Sequence, residues 1–228
     1  MSVRSLRRPV ALAGAAVLLL GACSGSATAT PAASAAASTG AGSTGCPTSA
    51  PAPMAATDTA TVTLATEKGS IVIKVTGSLA PNATGNFVAL AACGFYDGVV
   101  FHRLVPGFVI QGGDGQYGRA PNVDAAQVGT GGPGYSITDD PVTTPYRRGT
   151  VAMARTSTPN SQGSQFFIVL KDEAGSVLAQ TNTYAIMGEV TSGMDTVDTI
   201  AALPNSGEPD NAALDPRPMI TKATVTRP

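Results

Sequence analysis

Apolar and polar residues alternate with a period of two along Thr61 to Thr66 and again along Ser70 to Val75, on either side of Glu67-Lys68-Gly69. This alternation predicts two half-buried strands joined as a hairpin. The period then changes. From Pro81 to Cys93, Ala83, Phe87, Leu90 and Ala91 recur at helical spacing, with Pro81 in the first turn and Gly94 as the stop. Val99 to Arg103 and Phe108 to Gly112 are short apolar runs around a Pro106-Gly107 turn. Gly115 to Pro145 is rich in glycine and proline and predicts loop. Three more strands are expected at Gly149 to Ala154, Gln165 to Leu170 and Tyr184 to Val190. Ser192 to Ala202 carries Met194, Val197, Ile200 and Ala201 on one helical stripe, and Ile220 to Thr226 alternates as a last strand. Eight short strands and two helices, without strand–helix alternation, predict a mainly β fold. An antiparallel sheet of this size is able to close into an eight-stranded barrel with a filled interior.

The stretch Phe101 to Asp114 holds the single histidine of the chain. Strand alternation puts Phe101 and Arg103 on one face and His102 on the other. In the second run Val109 and Gln111 share a face, and Phe108 and Ile110 share the opposite one. An arginine and a glutamine among aromatic and aliphatic residues leave two readings open, a hairpin with a snorkelling arginine or a polar site.

Composition changes the picture at the N-terminus. Arg4, Arg7 and Arg8 precede an apolar run from Val10 to Leu20, and Leu20-Gly21-Ala22-Cys23 follows. The run has signal-peptide length and is short for a membrane span. Its end resembles the lipobox of bacterial lipoproteins, in which Cys23 would be lipidated and become the new N-terminus. No charged residue occurs between Arg8 and Asp58, and 24–57 is almost entirely Ala, Ser, Thr, Gly and Pro. This segment is expected to be a disordered tether, because it has too little apolar surface to offset its ordering entropy. The expected organisation is therefore a lipoprotein leader over 1–23, a tether over 24–57 and one folded domain over 58–228. The protein would be extracytoplasmic, held to the bacterial cell membrane by lipid.

A formal net charge of −1 argues against a nucleic-acid partner. With Cys23 lipidated, Cys46 and Cys93 remain, and an oxidising compartment permits a disulfide between them; two unpaired thiols are the alternative. Three cysteines and one histidine show no metal-ligand spacing, so no metal is expected. Gly113-Asp114-Gly115-Gln116-Tyr117-Gly118 spells GxGxxG, but no helix pattern follows it and no strand–helix–strand unit surrounds it. A dinucleotide site is rejected on that ground.

The stretch Phe101-His102-Arg103-Leu104-Val105-Pro106-Gly107-Phe108-Val109-Ile110-Gln111-Gly112-Gly113-Asp114 closely resembles the signature of the cyclophilins, the peptidyl-prolyl cis-trans isomerases. A second match runs through Gly149-Thr150-Val151-Ala152-Met153-Ala154 and Pro159-Asn160-Ser161-Gln162-Gly163-Ser164-Gln165-Phe166-Phe167-Ile168. Asn86-Phe87, Gly94 to Gly98, Gly131-Gly132 and Gly188-Glu189-Val190 match in the same order. The resemblance implies a closed eight-stranded antiparallel barrel capped by two helices, with the active groove on its outer face. It implies Arg103 as the catalytic arginine and Phe108, Val109 and Phe167 as an apolar slot for the proline ring. Gln111 would bond the substrate backbone and orient the arginine, and Gln165 would line the groove. Ala154, Arg155 and Thr156 would form an edge that pairs with substrate backbone. No cofactor is implied, since no bond is broken. The implied partners are proline-containing segments of exported proteins, and a monomer is expected.

The chain also departs from the family pattern. Val109 stands where methionine is common, Arg155 where asparagine is common, and one residue is inserted between Thr156 and Pro159. The chain has no tryptophan, so Leu178 or Ala179 falls where the family's groove tryptophan stands, and Tyr184 replaces a common histidine. Weak cyclosporin affinity follows from the missing tryptophan. An alternative reading is a proline-segment binding module or holdase with little turnover. A serine hydrolase using Ser164 is disfavoured, because a triad needs a base within reach and His102 is the one histidine.

Overall fold

The structure is a computed structural model that describes residues 45–209 and 211–228. The leader, Cys23 and the tether as far as residue 44 lie outside the described residues.

The first strands are β1 (Thr59–Thr66) and β2 (Gly69–Thr76), followed by helix α1 (Pro81–Ala92). Then come β3 (Phe101–Val105), β4 (Val109–Gly112), β5 (Thr150–Met153) and β6 (Phe166–Val169). The remaining elements are α2 (Asp172–Thr181), β7 (Ile186–Ser192), α3 (Met194–Ala201), β8 (Ala212–Ala213) and β9 (Ile220–Thr226). The nine strands form one antiparallel sheet in the order β8-β3-β4-β6-β5-β7-β2-β1-β9. The expected eight strands and two helices are thus corrected to a curled sheet of nine strands with three helices among the described residues. The head of β3 meets β9: Gly98 N–H donates to Ile220 O, Ile220 N–H to Val99 O and Phe101 N–H to Pro218 O.

Periodicity hid α2 and β8. Only Ala174, Gly175 and Leu178 of α2 are buried, so its apolar stripe is too narrow to stand out. β8 has two residues and owes its existence to pairing with Arg103 and Leu104.

Apolar residues segregate to the two faces of the sheet. The interior holds Val62, Ile73, Leu104, Ile110 and Ile168 with the α1 residues Phe87 and Leu90. Four aromatic rings brace it. Phe87 lies 5.3 Å from both Tyr96 and Phe166, and Phe166 packs edge-on against Phe101 at 6.0 Å. The outer face carries a smaller cluster that includes Val109, Ala152, Phe167, Val169, Leu178 and Ile186.

α1 has no side-chain cap of its own. Asp140 supplies one from a distant loop, accepting from Ala83 N–H and from Asn82 Nδ2, each at 2.8 Å. A carboxylate at that end of the helix also meets the positive pole of its dipole.

Residues 45–57, expected from composition to be the end of the tether, lie on the domain. Met54 packs against the interior cluster and its N–H donates to Pro81 O. A Cβ on Gly85 would lie 2.6 Å from Ala52 O, so the strap approaches α1 where only glycine leaves room. Cys46 is disulfide-bonded to Cys93, with the Cα atoms 5.1 Å apart. Composition does not reveal these contacts because they are long-range and involve few residues.

Candidate active site

Arg103 sits on β3 between Gln111 of β4 and Ala213 of β8. The β3–β4 register passes from Phe101↔Gly112 to Arg103↔Gln111, so His102 is the extra residue of a β-bulge. This overturns the simple alternation. Phe101 joins the interior with Leu104 and Ile110, whereas Arg103 stands with Gln111 on the outer face. Phe108 lies before β4 and packs with Val109 on the outer cluster, not on the face of Ile110.

Gln111 is paired in register with Phe167, which places the polar relay beside the apolar slot. Arg103 Nη1 donates to Gln111 Oε1 at 2.9 Å. Gln111 Nε2 donates to Gln165 Oε1 at 2.8 Å. Gln165 Nε2 in turn donates to Gly129 O at 2.9 Å and to Gly131 O at 2.8 Å. Three side chains from three adjacent segments are thereby held as one chain of hydrogen bonds.

The slot residues Val109 and Phe167 are almost fully buried, with Phe108 packed against the same cluster. Tyr184 stacks edge-on over Phe167 at 5.3 Å. Leu178 joins this cluster, whereas Ala179 is exposed. A cleft of about 510 Å³ continues beyond Gln111 and Gln165, lined also by Gly131, Tyr135, Ala154 and Thr156.

Arg155 does not present a bare charge at this edge. Its Nη1 donates to Asp139 at 2.6 Å, its Nε to Thr156 O and its Nη2 to Ser157 O. Asp139 also accepts from Asn160 N–H and Gln162 Nε2. The guanidinium therefore ties down the loop that carries the inserted residue. Ala154 N–H donates to Gln165 O and Thr156 N–H to Ser161 Oγ, so neither is left for a client strand.

His102 is buried, and burial pulls its imidazole down to about 4, against the Asp114 carboxylate, which pushes it up. A ring held neutral at pH 7 adds no charge beside Arg103. Ser164 is fully buried and its Oγ donates to Gly113 O, so it has no nucleophilic role. The GxGxxG stretch does cradle an anion, but one of its own: the Asp114 carboxylate accepts from Gln116 and Tyr117 N–H.

The model of the family described as cyclophilin type peptidyl-prolyl cis-trans isomerase/CLD matches residues 61–225. The chain is a cyclophilin-type peptidyl-prolyl cis-trans isomerase. This cyclophilin is 40% identical over 173 residues to a probable peptidyl-prolyl cis-trans isomerase of Brucella abortus (strain 2308), covering 75% of this chain and 85% of the relative. It is 35% identical over 170 residues to the isomerase cyp18 of Streptomyces antibioticus, covering 72% of this chain and 96% of the relative. A crystal structure of a Cryptosporidium parvum cyclophilin, obtained in the presence of the dipeptide ala-pro, superposes with a TM-score of 0.60 at 30% identity. That likeness covers 73% of this cyclophilin and 98% of the other chain.

Two aspartates that organise the site are given no role by the sequence: Asp114 and Asp139. Asp114 alone leaves a local signal, an aspartate between glycines at a strand end, where carboxylates commonly bond nearby backbone N–H groups.

Proposed function

We propose that this isomerase accelerates X-Pro exchange in exported proteins as they fold, with Arg103 as the catalytic residue. Rotation about a peptide bond costs about 18–20 kcal/mol, and uncatalysed exchange at proline takes roughly tens to hundreds of seconds. The amide nitrogen gains basicity as the bond twists and resonance is lost. A fixed cationic donor aimed at that nitrogen binds the twisted state better than either planar one. Arginine keeps its charge throughout.

The observation that carries this reading is the Arg103–Gln111–Gln165 chain standing beside the apolar cluster of Phe108, Val109 and Phe167. The cluster would seat the proline ring, with Leu178 and Tyr184 behind it. Gln111 and Gln165 would hold both the guanidinium and the client backbone. Ala154, Arg155 and Thr156 would border the client along this edge, with the N–H groups of Ala154 and Thr156 and the Arg155 guanidinium already engaged within the domain.

A lipid anchor at Cys23 and an extracytoplasmic location rest on the leader sequence, and a monomer is the simplest state for such a tethered domain. An inhibitor of lipoprotein-specific signal peptidase is expected to block maturation. Normal processing in its presence would remove the anchor from the proposal. For the catalytic reading, a protease-coupled prolyl peptide assay should show Arg103→Ala at least about a hundredfold slower than wild type. Equal rates would take Arg103 out of the mechanism.

A further inference from the structure

Asp114 is fully buried, and its carboxylate accepts four backbone N–H groups. Oδ1 takes those of Gln116 at 3.0 Å and Tyr117 at 2.9 Å. Oδ2 takes those of Gly129 at 2.8 Å and Gly131 at 2.9 Å. One charge at the end of β4 thus ties both ends of the intervening loop together. Gly131 has no room for a side chain, since a Cβ would lie 2.4 Å from Asp114 Oδ1 and 2.8 Å from Gln116 Cβ.

The carbonyls of the same two glycines face the amide of Gln165. A carbonyl can only accept, so two of them compel the NH2 end of Gln165 toward the loop and its Oε1 away. That oxygen meets Gln111, which must offer its own NH2 there and turn its Oε1 to Arg103. The direction of each amide is therefore decided at the loop. Turned over, Gln111 would set an NH2 against the guanidinium, donor against donor.

We propose that Asp114 is a positioning residue for Arg103, holding Gly129 and Gly131 so that their carbonyls set the direction of the Gln165–Gln111 relay and the aim of the guanidinium. The inference rests on the reading of Arg103 as the catalytic donor. Asp114 acts only through the loop and the two glutamines, and it touches no client.

The test separates turnover from binding. Asp114→Asn exchanges one acceptor for a donor facing backbone N–H groups. Gly131→Ala pushes the loop off an intact carboxylate. In each folded variant kcat should fall about tenfold to a hundredfold, as small misplacements at a reacting centre do. The Kd for a proline peptide, followed by NMR titration, should rise by a smaller factor than kcat falls, because the apolar cluster that would seat the proline ring keeps its own packing. Asp124→Asn, in the same loop but with a half-buried side chain that bonds only Ala126 N–H and Gln127 Nε2 among the described residues, should leave kcat unchanged. In an Arg103→Ala background Asp114→Asn should cost nothing further. A wild-type kcat in both folded variants, or the same loss with and without Arg103, would overturn the proposal. If Asp114→Asn does not fold, Gly131→Ala decides alone. Full activity in Arg103→Ala would instead defeat the catalytic reading, whereas full activity in Asp114→Asn beside an inactive Arg103→Ala defeats only the role of Asp114.

Discussion

The Arg155 guanidinium lies 2.6 Å from the Asp139 carboxylate, and the two side chains are only 9% and 19% exposed. The substitution that adds a cation to the edge of the groove is thus matched by an anion 16 residues earlier in the chain. Removing one partner of a mostly buried pair leaves the other charge uncompensated. Asp139→Ala should destabilise the domain by about 2–3 kcal/mol in chemical denaturation. It should also release Arg155 toward the client. With prolyl peptides carrying Glu or Lys before the proline, wild type is expected to discriminate little between them. Asp139→Ala should favour the Glu peptide, and unchanged preference would mean that Arg155 does not reach the substrate.

His102 links stability to pH. Its imidazole titrates at about 4 in the folded protein, against an ordinary value of 6.5. The unfolded chain therefore binds the proton first as pH falls. Stability from this group is complete above about pH 6.5 and drains away down to about pH 4, by about 3 kcal/mol in all. His102→Gln should flatten the dependence of unfolding free energy between about pH 7 and 5. A profile as steep as wild type would assign the effect to other groups.

Val109 forms part of the floor of the slot and is 2% exposed. Val109→Ala removes two methyl groups from a packed cluster and should cost about 2 kcal/mol of stability. It should raise KM for a prolyl peptide more than it lowers kcat, since the slot holds ground and transition states alike. An equal fall in kcat with unchanged KM would argue that the slot acts on the twisted amide itself.

The Cys46–Cys93 bond closes a separation of 47 residues. Replacing both cysteines by serine should lower stability by up to about 4 kcal/mol through the loop entropy of the unfolded chain. The turnover of the folded protein should not change, because neither residue takes part in the relay or the slot. Reduction of the wild type should reproduce the shift in the melting curve.

Much of the site is legible in the amino-acid sequence. Arg103, Gln111, Gln165 and Phe167 are carried by two long motifs, and the fold draws these residues together. Strand and helix positions are legible wherever one face is broadly apolar, as in β1, β2, α1 and β9. They are not legible in α2, whose exposed face dominates its composition, or in β8, a strand of two residues.

Local order along the chain determined what each segment could become, because period, turn residues and helix stops act over a few residues. It also determined the chemical kinds of group present: one arginine and two glutamines near a set of apolar rings. Which way those groups face was decided elsewhere. A bulge at His102 sends Phe101 inward and Arg103 outward, and no alternation rule contains it. Asp139 cancels the charge of Arg155, and Asp114 sets the direction of the relay, from positions that are neighbours only in space. Hydrogen-bond direction and charge compensation depend on which groups meet across the fold, and that depends on the packing of the whole sheet.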